Sequence, residues 1–122
     1  MKGNMLIEYI KERLFERNRN FIGIFVGETG SGKSFSALHM ASQIDPNFER
    51  DCKYKIIFSA DDLYKLLNEK KLKQGDCILW EEMGVAADSR KFYTVQNQAV
   101  TYFLETGRAL NIALLMTVPG LT

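Results

Sequence analysis

The sequence predicts an α/β fold with a mainly parallel sheet and helices on both faces. Three short apolar segments are each followed by a helical pattern, and a fourth apolar segment follows the last helix. Strands that alternate with helices in this way form parallel sheets. The chain has 122 residues and no linker divides it, so we expect a single three-layer domain over residues 1–122.

The first two predicted elements are an amphipathic helix and a buried strand. Residues 5–17 carry apolar side chains at helical spacing, with charged residues mostly elsewhere, and the predicted buried face is Leu6, Ile7, Ile10 and Leu14. The run FIGIFV at 21–26 is short and rich in aromatic and β-branched residues, which predicts a buried strand.

The next helix is predicted from Lys33 to about Ile44, where DPN at 45–47 ends it because a residue before proline is disfavoured in the helical region. The side chains that it is expected to bury are Phe35, Leu38, Met40 and Ala41. The run YKIIF at 54–58 then predicts the second strand.

The second half of the sequence repeats the alternation of helices and strands. Ser59 is expected to cap a helix, with Asp62 three residues on as in a capping box, and the apolar side of this helix is Leu63, Leu66 and Leu67. CILW at 77–80 predicts the third strand. After a polar loop over 83–95, a further helix has its apolar positions at Val95, Ala99, Val100, Phe103 and Leu104, and NIALLM at 111–116 predicts the fourth strand.

The bulk composition excludes several classes of protein. The formal net charge is +1, so no global basic field argues for nucleic acid, although a local loop in a ring of subunits could still bind DNA. The two cysteines, Cys52 and Cys77, lack metal-site spacing and fit a reduced cytoplasm. The N-terminus is too charged for a secretory signal, and no apolar run is long enough for a membrane segment.

The stretch GETGSGKS at 27–34 predicts a phosphate-binding loop between a strand and a helix. Its glycines allow backbone amides to approach phosphates, and the helix that follows directs its positive dipole end at the anion. Lys33 is expected to reach the β- and γ-phosphates, and the Ser34 hydroxyl is expected to bind Mg²⁺. The predicted nucleotide contacts are Gly27, Glu28, Thr29, Gly30, Ser31, Gly32, Lys33 and Ser34, with ATP as the expected nucleotide because no NKxD guanine motif occurs.

A second motif, CILWEE, ends the third strand with two carboxylates. Acidic groups just beyond a parallel strand lie at the carboxyl edge of the sheet, where ligands bind in open α/β sheets. We expect Glu81 to lie near Mg²⁺ and Glu82 to orient or deprotonate the attacking water. The reverse assignment stays open, because neighbouring strand residues point to opposite faces.

Together, GETGSGKS, CILWEE and RALNIALLMTVP resemble the motifs of P-loop ATPases of the additional-strand, catalytic-glutamate group, and most closely the HerA–FtsK superfamily with its zonula-occludens-toxin-like and viral or plasmid DNA-transfer ATPases. The resemblance covers about residues 21–120. It implies a RecA-like P-loop NTPase fold whose fourth strand inserts between the first and third. Because complete cores have at least one more strand, we expect that C-terminal strands are missing here.

The same resemblance implies functional roles. Thr117 would sense the γ-phosphate, and Arg108 would be an arginine finger presented to a neighbouring subunit in a homo-oligomeric ring that moves, packages or transfers DNA. The sequence departs from the pattern in two places: Glu81 replaces the usual aspartate, and Val118 replaces the usual glutamine.

Alternatives remain at both the residue and the functional level. Arg108 is equally well explained as a cation that complements the end of a helix, and Arg90 is a second candidate for the finger. A P-loop kinase for a small molecule would need an acceptor pocket, for which no strong motif occurs. A nucleotide-controlled interaction module without significant turnover is the third possibility.

Overall fold

The computed structural model describes residues 2–27, 32–69, 72–81, 89–106 and 110–119; within these ranges the side chains of residues 2–4, 26–27, 33–34, 89–93 and 118–119 are not described. The elements, in chain order, are α1 (Lys2–Phe15), β1 (Phe21–Gly27), α2 (Lys33–Ile44), α3 (Phe48–Lys55), β2 (Ile56–Ile57), α4 (Ala60–Asn68), β3 (Cys77–Trp80), α5 (Ser89–Thr106) and β4 (Ala113–Pro119). No helix in these described ranges is long and apolar enough to cross a membrane.

The four described strands form one parallel sheet in the order β1-β4-β3-β2. In the register of the sheet, Met116 of β4 lies between Ile24 of β1 and Trp80 of β3. The parallel α/β architecture is therefore confirmed. The predicted insertion of the fourth strand between the first and third is also confirmed, although chain order alone does not require it.

Alternate residues of each strand point to opposite sides of the sheet, and the apolar side chains on both sides are covered by helices. One core contains alternate residues of β3 and β4 packed with side chains of α1, α2 and α3: Ile7, Ile10, Leu14, Ala37, Ala41, Ile44, Phe48, Cys77, Leu79, Ala113 and Leu115. The other core contains the intervening strand residues with α4 and α5, including Leu63, Leu66, Leu67, Ile78, Trp80, Ala99, Phe103, Leu114 and Met116.

The predicted second strand, 54–58, is largely wrong. Residues 48–55 form the unexpected helix α3, and only Ile56 and Ile57 are paired in β2. Acidic residues begin α3 and Lys53 and Lys55 end it, which complements the helix dipole. A short polar helix of this kind has no apolar stripe to reveal it in the sequence.

The face that α2 buries also differs from the prediction. Its bounds, Lys33–Ile44, agree with the expectation, but Phe35 is 75% exposed and Leu38 is 40% exposed. Ala41 is buried as predicted, and Ala37 and Ile44 complete the buried face. Because two of these residues are alanines, the helix can lie close against the sheet, and the larger side chains are left outside.

Other predicted core positions are also exposed, because each helix packs against the sheet on one side only and its remaining surface faces outward. Leu6 of α1 is exposed, as are Val95 and Leu104 of α5. β1 was predicted to be a buried strand, but it is an edge strand of the described sheet, and Ile24 is 59% exposed.

The boundaries around the last helix and strand are shifted. α5 begins at Ser89, inside the segment predicted as a loop. β4 begins at Ala113 rather than at residue 111 because Asn111 has a left-handed backbone with φ 56°, which interrupts the extended chain. The Asn20 side chain accepts a hydrogen bond from the Ile112 N–H at 2.9 Å and fixes this entry into the strand.

Candidate phosphate-binding site

The candidate site lies at the carboxyl edge of the sheet, where the predicted motifs meet. β1 ends at Gly27, which pairs with Pro119 at the end of β4. β3 ends at Trp80, which pairs with Met116 of β4. Because all of these strands are parallel, the chain leaves β1 towards the predicted phosphate loop at the same edge at which β3 leads into Glu81.

Gly32 and the start of α2 form the part of the loop that the structure describes. Gly32 occupies the N-cap position in a left-handed conformation, φ 86° and ψ 6°, which strongly favours glycine. Its carbonyl oxygen accepts a hydrogen bond from the Ser36 N–H at 3.0 Å. The backbone therefore turns directly into the helix at this glycine.

The start of α2 fits an anionic ligand. Gly32 has no side chain with which to cap the first-turn amides, and the first turn carries no acidic residue. A Cβ placed on Gly32 would meet no atom of the described residues within 4 Å. First-turn amides without a side-chain cap and a positive helix end are the features that bind phosphate at helix N-termini.

Thr117 and Glu81 lie side by side at this edge. Thr117 is 1% exposed, and it follows Met116, whose partner in β3 is Trp80. Glu81 is half-buried, and its N–H donates to the carbonyl oxygen of Ile57 at 2.8 Å, which extends the pairing of β3 with β2. Glu81 is therefore level with Thr117 across the sheet.

Alternation along the strands assigns these two residues to one face. Thr117 continues the series of Ala113 and Leu115, and Glu81 continues that of Cys77 and Leu79, all of which pack in the core on the α2 side. Because α2 begins at Lys33 and packs on this same side of the sheet, Glu81 and Thr117 share the face of the helix that follows the predicted phosphate loop.

Several predicted site residues cannot be placed in the same way. Lys33 and Ser34 are described by their backbone alone, as the first two residues of α2. The residues Glu28, Thr29, Gly30, Ser31, Glu82 and Arg108 lie outside the described residues. Arg90 is in the first turn of α5, and its side chain is not described.

The donors available for a magnesium ion fit its chemistry. No group of three or more His, Cys, Asp or Glu side chains that could hold a metal occurs among the described residues. Mg²⁺ bound to a nucleotide needs no such group, because phosphate oxygens and water supply most of its ligands and one or two protein oxygens complete the set. The Ser34 hydroxyl and the Glu81 carboxylate would be those protein ligands.

A buried ion cluster, which sequence reasoning missed, lies at the opposite edge of the sheet. The Nζ atom of Lys55 lies 2.6 Å from Asp45 Oδ2, 3.4 Å from Asp51 Oδ2 and 3.4 Å from Asp76 Oδ1. Asp45 also accepts the N–H of Cys77 at 3.1 Å, at the amino end of β3. The cluster ties the ends of α2 and α3 to β3, away from the candidate site, and its role is structural.

Burial and the ion cluster shift the pKa values of two groups. Burial alone lowers the pKa of Lys55, but the hydrogen bond and charge of Asp45, the charge of Asp76 and a hydrogen bond to Asp51 outweigh it and raise that pKa above its ordinary value. Burial raises the pKa of the Cys77 thiol, so this cysteine stays protonated.

Beside α2 there is also an open, mainly apolar cavity. Its volume is about 370 Å³, and it is lined by Phe35, Leu38, His39, Ser42, Phe48, Glu49, Cys52 and Ile56. Phe35 and Phe48 are the two phenylalanines of the lining, and Phe35 directly follows Ser34 of the candidate site. The cavity therefore begins within one helical turn of the residues predicted to bind phosphate and metal.

Comparisons of the chain with protein-family models, with curated proteins and with solved structures found no match.

Proposed function

We propose that this chain is a P-loop ATPase with a RecA-like fold, which binds ATP with Mg²⁺ and hydrolyses it. The observation that carries the proposal is the strand order, in which β4 lies between β1 and β3. This order brings Thr117 and Glu81 to the edge at which Gly27 leads into the predicted phosphate loop. The left-handed Gly32 at the start of α2 supports the same conclusion.

Each residue has a distinct part in the proposed reaction. The first-turn amides of α2 and the Lys33 ammonium hold the phosphates and neutralise their charge. Ser34 and Glu81 hold Mg²⁺, which supplies further charge neutralisation when it is bound. Glu82 orients the attacking water and accepts its proton, and the Thr117 hydroxyl contacts the terminal phosphate.

The finer part of the proposal is that the ATPase is a DNA-translocation, packaging or transfer motor that acts as a homo-oligomeric ring in the cytoplasm. Its support is the sequence resemblance to the HerA–FtsK superfamily. Arg108 would complete the site of a neighbouring subunit, where a guanidinium stabilises the charge that develops on the phosphate.

Two variants test ATP binding and hydrolysis separately. Lys33→Ala should lose ATP binding, because it removes the cation from the phosphates, whereas Glu82→Gln should bind ATP and lose turnover, because an amide cannot accept the proton. Nucleotide binding is measured by calorimetry and turnover by phosphate release. Lys53→Ala, which changes an exposed lysine away from the site, serves as the matched control. Parent-like hydrolysis by Glu82→Gln would refute the assignment of Glu82.

The motor proposal is tested by the ATPase rate with and without single- and double-stranded DNA. Stimulation by either form supports a DNA motor. A rate that neither form changes would remove the DNA part and leave the ATPase part standing.

The cavity beside α2 favours a second candidate, a P-loop kinase for a small apolar or aromatic acceptor. Its volume of about 370 Å³ is in the range of small-molecule sites, and it begins at Phe35, next to the predicted metal ligand Ser34. ADP release that depends on an added acceptor, and that is absent with water alone, would establish a kinase. A Phe35→Ala variant should then raise KM for the acceptor without changing ATP binding.

A further inference from the structure

The cavity beside α2 lies between two helices of the same chain. Its α2 wall consists of Phe35, Leu38, His39 and Ser42, which recur at the spacing of one helical face. This face is separate from the alanine face with which α2 packs against the sheet. The apolar residues that the sequence places in α2 therefore divide between the core and the cavity.

The opposite wall comes from α3, which supplies Phe48, Glu49 and Cys52, and Ile56 follows at the start of β2. Phe48 is buried and belongs to the core on the α2 side, against which Ile56 also packs. Cys52 is half-buried. The cavity thus reaches from the surface down to fixed core side chains.

The mouth of the cavity carries apolar surface that a ligand would cover. Phe35 is 75% exposed and Leu38 is 40% exposed, although both belong to the lining. Sites for small molecules have mainly apolar and aromatic walls with a few polar groups that fix the orientation of the ligand. His39, Ser42 and Glu49 are polar groups of this kind.

Glu49 gives the cavity a negative charge. It lies in the first turn of α3, and no ion pair or hydrogen bond of its side chain occurs among the described residues. No lysine or arginine is found among the described residues that line the cavity. The local charge therefore favours a ligand with a cationic group and disfavours a carboxylate.

The walls also limit what kind of occupant fits. The backbone groups of α2 and α3 are bonded within each helix, so they cannot pair with a further strand, such as a C-terminal strand of a longer chain. A volume of about 370 Å³ is that of a small-molecule site. The occupant is therefore a small molecule rather than a segment of backbone.

We propose that the cavity beside α2 binds a small aromatic amine, with its ring against Phe35 and Phe48 and its ammonium group at Glu49. Ring contacts with the two phenylalanines and a charge-assisted hydrogen bond to the carboxylate supply the recognition. This binding goes beyond the proposed ATPase, because it requires neither nucleotide nor turnover. It concerns the same cavity as the kinase candidate, and tests without nucleotide let the two fail separately.

Calorimetry with three indole compounds that differ in charge tests the ligand class. Tryptamine, a cation, should bind more tightly than the neutral tryptophol, and indole-3-acetate, an anion, should bind most weakly. Glu49→Gln should raise the Kd of tryptamine by about fivefold, the size of a partly exposed charge pair, and should leave that of tryptophol unchanged. Glu16→Gln, the same change at an exposed residue just beyond α1, is the matched control.

Phe35→Ala should weaken the binding of all three compounds, because it removes a ring contact that they share. Glu49 and Phe35 are both exposed, so neither substitution disturbs the core. Added salt should weaken tryptamine but not tryptophol, since only the charged ligand is screened.

The Cys52 thiol provides a second readout, because it lines the cavity and is half-buried. Saturating tryptamine should slow the modification of Cys52 by N-ethylmaleimide, followed by mass spectrometry. Cys77 is buried and should stay unmodified throughout, which reports that the chain remains folded.

Three results would each overturn the proposal: tryptamine that binds no more tightly than indole-3-acetate, a tryptamine affinity that Glu49→Gln does not change, and modification of Cys52 that tryptamine does not slow. ATP hydrolysis by a chain that fails to bind tryptamine would refute the amine site alone. Tryptamine binding by a chain that neither binds nor hydrolyses ATP would refute the ATPase alone.

Discussion

At the scale of single residues, Lys55 is a buried lysine whose charge is compensated by ion pairs, and lysine is rarely buried in proteins. Its side chain is 1% exposed and contacts three aspartates, of which Asp45 and Asp76 are also buried. Taking these charges out of water is costly, and the hydrogen bonds between them offset the cost only while every partner is present. Removing one partner therefore leaves the remaining charges buried without compensation.

Lys55→Met should lower the free energy of unfolding by about 3–5 kcal/mol, because it leaves Asp45 as an uncompensated buried carboxylate. Urea unfolding measures the change, and Lys53→Ala, the exposed neighbour, should stay within about 0.5 kcal/mol of the parent. Adding Asp45→Asn to Lys55→Met should recover part of the loss. A Lys55→Met variant as stable as the parent would mean that the cluster contributes nothing to the fold.

The same residue predicts a dependence of stability on alkaline pH. Since the pKa of Lys55 is higher in the folded chain than in the unfolded chain, the charged cluster stabilises the fold fully below the ordinary lysine pKa of about 10.4. This contribution is lost as the pH rises through the folded value. The stability difference between the parent and Lys55→Met should therefore be constant near neutral pH and should shrink in strongly alkaline solution. A difference that stays unchanged there would contradict the assignment.

At the scale of elements, α4 shows local sequence and structure in agreement. The Ser59 side chain accepts a hydrogen bond from the Asp62 N–H at 3.2 Å, and the Asp62 carboxylate accepts one from the Phe58 N–H at 3.4 Å. The predicted cap is therefore confirmed, and Leu63, Leu66 and Leu67 are buried as predicted. When the N-terminal cap and the apolar stripe of a helix both depend only on residues close together in the chain, the sequence predicts the helix well.

Ser59→Ala should lower stability by about 1 kcal/mol, because the first-turn amide of Asp62 loses its acceptor. Thermal unfolding followed by circular dichroism measures the effect. Ser36→Ala, the same change at an exposed position within α2, should be neutral or slightly stabilising, since alanine is the better helix former. Equal effects of the two substitutions would show that the cap has no special role.

At the scale of the whole molecule, the insertion of β4 between β1 and β3 decides where Thr117 lies. Thr117 is more than eighty positions from the predicted phosphate loop in the chain, yet β4 places it between the ends of the two strands that lead to residue 28 and to Glu81. Its role in the proposed reaction therefore depends on the topology of the sheet rather than on its local sequence.

Thr117→Val should lower ATP turnover by at least tenfold, a typical effect of losing one hydrogen-bond donor to a developing charge, while ATP binding changes little. Thr117→Ser keeps the hydroxyl and should retain most of the activity. Turnover and nucleotide affinity are measured separately for both variants. If valine and serine reduce turnover equally, the hydroxyl is not the functional group.

Some features could not be predicted because their causes are not local. Helix α3 has no apolar stripe, and its last residue, Lys55, is buried only because Asp45, Asp51 and Asp76 surround it. Phe35 looks like a core residue in the sequence, yet α2 turns its alanine face to the sheet. The face on which Glu81 lies could not be read from the sequence, whereas the alternation of β3 in the sheet assigns it to the side on which α2 packs.

The sequence by itself determined the alternation of strands and helices, the bounds of α2, the cap of α4 and the left-handed glycine before Lys33. These depend on spacing, capping and backbone preferences within a few residues. Only the tertiary structure decided which faces are buried, that β1 lies at the edge of the described sheet, and that Lys55 is enclosed. Those outcomes depend on which surfaces pack against each other, and such contacts join residues that are distant in the chain.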